Sequence, residues 1–127
     1  MPVPEAIATA MRQTNELFNT EVGGKHDIAA LDKIYTAGAR ILPPGAPMIE
    51  GREAIKAFWR QAVAAMDPAS VTLASVHAEQ AGDGVVEIGK ADIGMKDGSV
   101  VTVKYVVHWK VEDGAWKWDT DIWNMNQ

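Results

Sequence analysis

The sequence predicts an α+β fold in which helices come first, a curved antiparallel sheet follows, and the helices pack on one face of that sheet. Three observations carry this. Apolar residues recur at three- and four-residue steps in the N-terminal half. From Ser70 onward, four long segments are separated by the short glycine turns Gly82-Asp83-Gly84, Lys96-Asp97-Gly98 and Glu112-Asp113-Gly114. The stretch Ser99 to Asn124 holds four of the five tryptophans and alternates strictly in its first half, with Val101, Val103, Tyr105, Val107, Trp109 and Val111 on one side. A period of two with one apolar and one mixed face is a strand covering a core.

The elements follow in order. Pro4 suits the first position of a helix, and Glu5 complements the positive end of its dipole. Ile7, Ala10, Met11, Thr14, Leu17, Phe18 and Val22 then form one apolar stripe, a helix of about five turns ended by Gly23-Gly24. Asp27 is placed to cap a second, short helix carrying Ile28, Leu31, Ile34 and Tyr35. Ala39 to Leu42 reads as a short strand, broken by Pro43-Pro44-Gly45-Ala46-Pro47, with Met48-Ile49 as its return. Ile55, Phe58, Trp59, Ala62, Val63 and Met66 make the cleanest helical stripe, which Asp67-Pro68 stops. Val71–Gln80, Val85–Met95, Val100–Val111 and Trp116–Met125 are the strands of an antiparallel meander.

Parity in the last strand conflicts with itself. Trp116, Trp118 and Ile122 share one face, Trp123 and Met125 the other. A β-bulge near Asp119-Thr120 would turn Trp116, Trp118, Asp121 and Trp123 all inward. Without it, two tryptophans lie on the outer face and call for a partner subunit.

Composition bounds the function. The chain has 127 residues, 47% hydrophobic and 23% charged, as expected of one soluble domain spanning 1–127. It has no cysteine, which excludes disulfides, thiolate chemistry and Cys-ligated metal. A net charge of −5 without a basic run disfavours nucleic acid. No apolar segment is long enough to span a membrane, and Met1 to Arg12 lacks the pattern of a secretory signal, so a cytoplasmic protein is expected.

Few residues suggest chemistry. Asp119 and Asp121, two apart on a strand, should point the same way about 7 Å apart. Such a pair can do acid–base work or hold a divalent ion, but one solvated Asp beside one tied to a neighbouring backbone or Arg is the favoured reading, because a metal site needs further convergent ligands. His26, His77 and His108 lack metal-ligand spacing, so no metal site is expected. His108 lies on the mixed face with Lys104, while His77 shares parity with Val71 and Leu73 and is expected inward, as a satisfied core histidine. Trp59 lies on the helical core stripe, yet its indole N–H wants a partner and suits a pocket wall.

Two stretches carry a family resemblance: E-G-R-E-A-I-K-A-F-W, from Glu50 to Trp59, and W-K-V-E-D-G-A-W-K-W-D-T-D-I-W-N, from Trp109 to Asn124. They resemble the nuclear transport factor 2-like, or SnoaL/ketosteroid isomerase-like, superfamily. The closest likeness is to a bacterial branch of undefined activity related to the association domain of calcium/calmodulin-dependent kinase II. The resemblance spans Glu5 to Asn124 and is specific for fold rather than activity. It implies a cone-shaped barrel, a strongly curved sheet wrapped on three N-terminal helices around a pocket, with the outer sheet face forming a homodimer. It places pocket-lining aromatics at Tyr35, at the end of the second helix, and at Trp59. On the last two strands it places inward residues at Tyr105, Val107, Asp121 and Trp123. Alternation alone already turns Tyr105 and Val107 inward. Against steroid isomerases, Pro43 stands where a catalytic aspartate would be, Val107 where an acid donor would be, and Phe18 or a neighbour replaces the donor tyrosine. That mechanism is therefore not expected. The pocket arginines of the kinase association domain align with Val107 and Trp123, so an anionic ligand of that type is not supported.

Two functions follow. In the first, Tyr35, Trp59, Tyr105, Val107 and Trp123 bind a small, largely apolar molecule, and Asp121 acts as a cofactor-free acid or base. In the second, the tryptophans fill the cone and the chain is a homo-oligomerisation module. A cavity below about 300 Å³ would count for the second.

Overall fold

A computed structural model describes residues 1–126. Helix α1 spans Glu5–Leu17 and continues into a π-helical segment, Phe18–Gly24, instead of running as one α-helix to Val22. Gly23 explains part of that segment's position: a Cβ there would lie 2.6 Å from Cβ of Val71, so the backbone packs directly against the sheet. Asp27 caps the next element through Ala29 N–H, but that element is a 3₁₀ turn, Ile28–Lys33. Strand β1 is Tyr35–Leu42 and β2 is Ile49–Glu50. Tyr35 thus opens a strand and does not end a helix. Ile34 C=O accepts from Trp118 N–H at 2.7 Å, and this distant partner draws the chain into the sheet there.

Helix α2, Arg52–Met66, ends at Asp67, which takes the left-handed conformation. Strands β3 (Pro68–Ala81), β4 (Gly84–Met95), β5 (Val100–Glu112) and β6 (Ala115–Met125) form the expected meander. Asp113 and Gly114 both have positive φ, 53° and 77°, in the β5–β6 turn. The sheet is one six-stranded layer in the order β2-β1-β6-β5-β4-β3, with its two edges unjoined. All pairings are antiparallel except β1 with β6, which is parallel because the chain crosses back through the helix and meander before returning.

Two bulges set which side chains face the helices. In β3, Ser75 pairs with Gly89 and His77 with Ile88, leaving Val76 as the extra residue. In β6, Thr120 pairs with His108 and Trp118 with Trp109, so Asp119 is the extra residue. The second bulge lies where the parity conflict required one. One inner row then runs Ile41, Asp121, Val107, Glu87 across β1, β6, β5 and β4, and all four are buried. The core lies between this face, α1, the π segment and α2. No helix among the described residues is long and apolar enough to cross a membrane.

Candidate functional site

The gap between α2 and the inner sheet face is not completely filled. It leaves a cavity of about 270 Å³. Phe58, Trp59, Ala62 and Met66 form its helical wall, Val103, Tyr105, Val107 and Trp123 its sheet wall, and Pro43 and Pro44 also border it. Phe18 and Val22 of the π segment close one side. Asp121 is the one carboxylate in this lining, which contains no Lys, Arg or His.

The β6 bulge aims Asp121 there. Tyr35 Oη donates to Asp121 Oδ2 at 2.6 Å and accepts from Trp59 Nε1 at 3.2 Å. Burial raises the Asp121 pKa from 3.8 to about 7; the Tyr35 hydrogen bond opposes this, and the negative charge of Glu87 adds to it. The Tyr35 hydroxyl is itself pushed well above its ordinary value, by burial first and by Asp121 second, so it stays protonated and keeps donating. A carboxyl with a pKa near neutrality can take or give a proton without a large driving force against it.

The structure brings together Trp59, Tyr105, Val107, Asp121 and Trp123 on the cavity wall. Trp59 and Trp123 stack, with centroids 5.2 Å apart and planes 18° from parallel. Tyr35 does not line the cavity as expected. It is fully buried and touches the site through two residues of the cavity lining, Asp121 and Trp59. The Asp119–Asp121 pair is likewise separated: the bulge turns Asp119 away, to Thr36 Oγ1 at 2.7 Å and Lys110 Nζ at 3.3 Å. His77 is exposed and bonds Glu79 at 3.0 Å, because the Val76 bulge reverses its parity with Val71 and Leu73.

Sequence reasoning missed Glu87, which is 1% exposed. Asn15 Nδ2 and Tyr105 Oη donate to its Oε2 at 3.2 Å each, and Trp109 Nε1 donates to Oε1 at 3.0 Å. Asn15 also accepts from Trp118 Nε1 at 3.0 Å, tying α1 to two strands. Burial raises the Glu87 pKa, opposed by hydrogen bonds from Trp109, Ser75, Tyr105 and Asn15. A signal was available: Val85, Glu87 and Ala91 share one parity, so the glutamate falls in the inward phase of its strand.

Elsewhere, Arg52 and Lys117 both pair with Glu112, at 3.2 and 3.0 Å. A hydrogen bond from Ala37 N–H is the main cause holding the Glu112 carboxyl below its usual range. This cluster pins the start of α2 to β1 and the β5–β6 turn. A surface depression beside it, lined by Glu50, Gly51, Arg52 and Glu53 among others, has no apolar wall comparable to that of the cavity. Among the described residues no group of three or more His, Asp or Glu side chains is arranged to hold a metal.

Known proteins share this architecture. The family model described as a SnoaL-like domain matches residues 12–118. Among solved structures, an NTF2-like protein of unknown function from Pseudomonas putida KT2440 superposes with a TM-score of 0.77 at 17% identity, covering 95% of this chain and 87% of that one. A protein described as a calcium/calmodulin-dependent protein kinase type II association domain, from Thiobacillus denitrificans, gives 0.75 at 18% identity over 100% and 98%. The hexachlorocyclohexane dehydrochlorinase LinA-type3 from Novosphingobium barchaimii LL02 gives 0.73 at 18% identity over 96% and 88%. No curated protein matches the chain. At these identities the likeness establishes the fold alone, and the neighbours' differing descriptions assign no single activity. The family model covers most of the chain, so the chain belongs to the SnoaL-like domain family.

Proposed function

We propose that this protein binds or transforms a small, largely apolar molecule in the cavity under α2, with Asp121 as its orienting acid or base. One observation carries the reading: a buried carboxyl without a cationic partner stands on the wall of an otherwise apolar cavity. Buried charges are normally paired, and an unpaired titratable group in a cleft is a mark of a working site. Tyr35, positioned by Trp59, fixes Asp121 Oδ2 and leaves Oδ1 for a ligand. Trp59, Tyr105, Val107 and Trp123 supply the apolar contacts. The chemistry open to such a site is proton transfer without a cofactor. A cytoplasmic location accords with a chain that has no cysteine.

The second reading, an oligomerisation module with a filled cavity, draws on the volume. About 270 Å³ falls just under the roughly 300 Å³ where ligand sites commonly begin. Homodimerisation is compatible with either reading. Ile88, Val106 and Ile122 pair in one row across β4, β5 and β6 on the outer face and are all exposed, and a second copy of this face would cover them.

Mass spectrometry of small molecules released from the purified protein separates the readings. A retained apolar compound supports the ligand site; an empty spectrum from a stable dimer supports the module. Ligand affinity and pH profile unchanged in Asp121→Asn would remove the role given to that carboxyl.

A further inference from the structure

We propose that the cavity selects a small apolar amine, whose ammonium group pairs with the Asp121 carboxylate beneath a cage of aromatic rings. The inference rests on the cavity being a ligand site and narrows what it takes.

The argument begins with charge. Asp121 is faced by Tyr35 from β1, by Tyr105 from β5 and, beyond Val107, by Glu87 from β4. From the helical side come Phe58 and Trp59 of α2 and Phe18 of the π segment, none of them charged. The ionisable groups that line the cavity are therefore acidic or phenolic. An anionic ligand would meet the Asp121 carboxyl, with Glu87 buried beyond Val107, and no cation in the lining.

Hydrogen bonding points the same way. The Tyr35 hydroxyl donates to Asp121, and the Tyr105 hydroxyl donates to Glu87. Neither donor remains for a ligand's carbonyl or ether oxygen. The ionised Asp121 offers an acceptor and a negative charge, which an ammonium group answers with N–H donors and a positive one. Desolvation of the carboxyl is already incurred in the folded protein, so the ligand brings only its own.

The walls supply what an ammonium needs once it leaves water. Trp59, Trp123, Phe18 and Tyr105 line the cavity, and a cation is attracted to the face of an aromatic ring. At interior packing density, about 270 Å³ encloses on the order of ten non-hydrogen atoms. That is the size of a benzylamine or a short branched alkylamine.

The test is calorimetric titration of the full chain with benzylamine, benzyl alcohol and benzoate, which share a ring and differ in charge. At about pH 8, where Asp121 is mostly ionised, benzylamine should bind about tenfold or more tightly than benzyl alcohol, and benzoate most weakly. Its affinity should fall toward about pH 6 as Asp121 takes up a proton, while that of benzyl alcohol stays level. Asp121→Asn should bring the two affinities together. If that variant does not fold, the pH dependence of the unaltered protein decides. Benzyl alcohol or benzoate binding as tightly as benzylamine overturns the amine assignment and leaves the ligand site standing. Binding of none of the three overturns both.

Discussion

Glu87 and Asp121 lie in one inner row of the sheet, separated only by Val107 on the strand between them. Two strand spacings put their backbones about 10 Å apart. At that range in a buried setting each charge opposes ionisation of the other. Their supports differ. Glu87 accepts from Asn15, Tyr105 and Trp109, whereas Asp121 has the single side-chain donor Tyr35. In Glu87→Gln, one amide N–H₂ must face a donor that formerly met an oxygen. We expect a loss of about 1–3 kcal/mol in urea unfolding. The Asp121 titration midpoint, followed by carboxyl NMR, should move below about 7 as the neighbouring charge disappears.

Tyr35→Phe should move the same midpoint the other way. The phenol holds Asp121 in its ionised form, opposing the effect of burial. Without it the carboxyl pKa rises above about 7, and Trp59 Nε1 loses its acceptor. Stability should fall by about 1–3 kcal/mol. A midpoint that stays in place would show that Tyr35 only packs there.

How far these features were legible depends on how local their causes are. Alternation within β5 was enough to turn Tyr105 and Val107 inward, and the conflicting parity of Trp118 and Trp123 was enough to locate a bulge. Ile28, Leu31 and Ile34 continue a helical spacing up to Tyr35, which on local sequence predicts a helix there. What makes it a strand residue is β6, more than 80 positions away, which no local window contains. The Val76 bulge that exposes His77 has no turn residue to announce it. Glu87 became intelligible only when the fold brought Asn15, Tyr105 and Trp109 around it.

Gly89 has a role that any other residue would disturb. A Cβ at this position would run into the Tyr105 ring and hydroxyl and lie 2.8 Å from Ala74 C=O. The ring can turn aside, but the carbonyl belongs to the β3 ladder and cannot. Gly89→Ala should therefore cost about 1–3 kcal/mol by overpacking and pull Tyr105 off Glu87. Tyrosine fluorescence or the Tyr105 ring resonances, together with thermal unfolding, would read both effects. An unchanged melting temperature would mean that the strands spread at no cost.

The outer row gives a prediction for assembly. Val106 is flanked by Ile88 and Ile122, its register partners, and all three are exposed. If a second copy covers them, Val106→Lys places a charge at the centre of each facing row. Sedimentation velocity should then show a monomer where the unaltered protein is a dimer, with little change in secondary structure by circular dichroism. A protein that is monomeric before the substitution would end the proposal.

The raised Asp121 pKa also fixes the sign of a stability profile. In the unfolded chain this carboxyl titrates near its ordinary 3.8, in the folded protein at about 7. Between those values the folded state holds a proton that the unfolded state has released. Folding stability from this group is thus fully present below about pH 4 and falls as pH rises through about 7. Over that window the loss is on the order of 4 kcal/mol. The raised pKa of Glu87 acts in the same direction, so its contribution must be subtracted by comparing variants at one site. Asp121→Asn keeps the shape and has no proton to lose. Its stability relative to the unaltered protein should rise from about pH 5 to about pH 8, whatever fixed cost the amide imposes at Tyr35. Denaturant unfolding across that range measures the slope difference directly. Parallel profiles for the two proteins would mean that Asp121 titrates as an ordinary surface carboxylate, and the acid–base role proposed for it would go with its raised pKa.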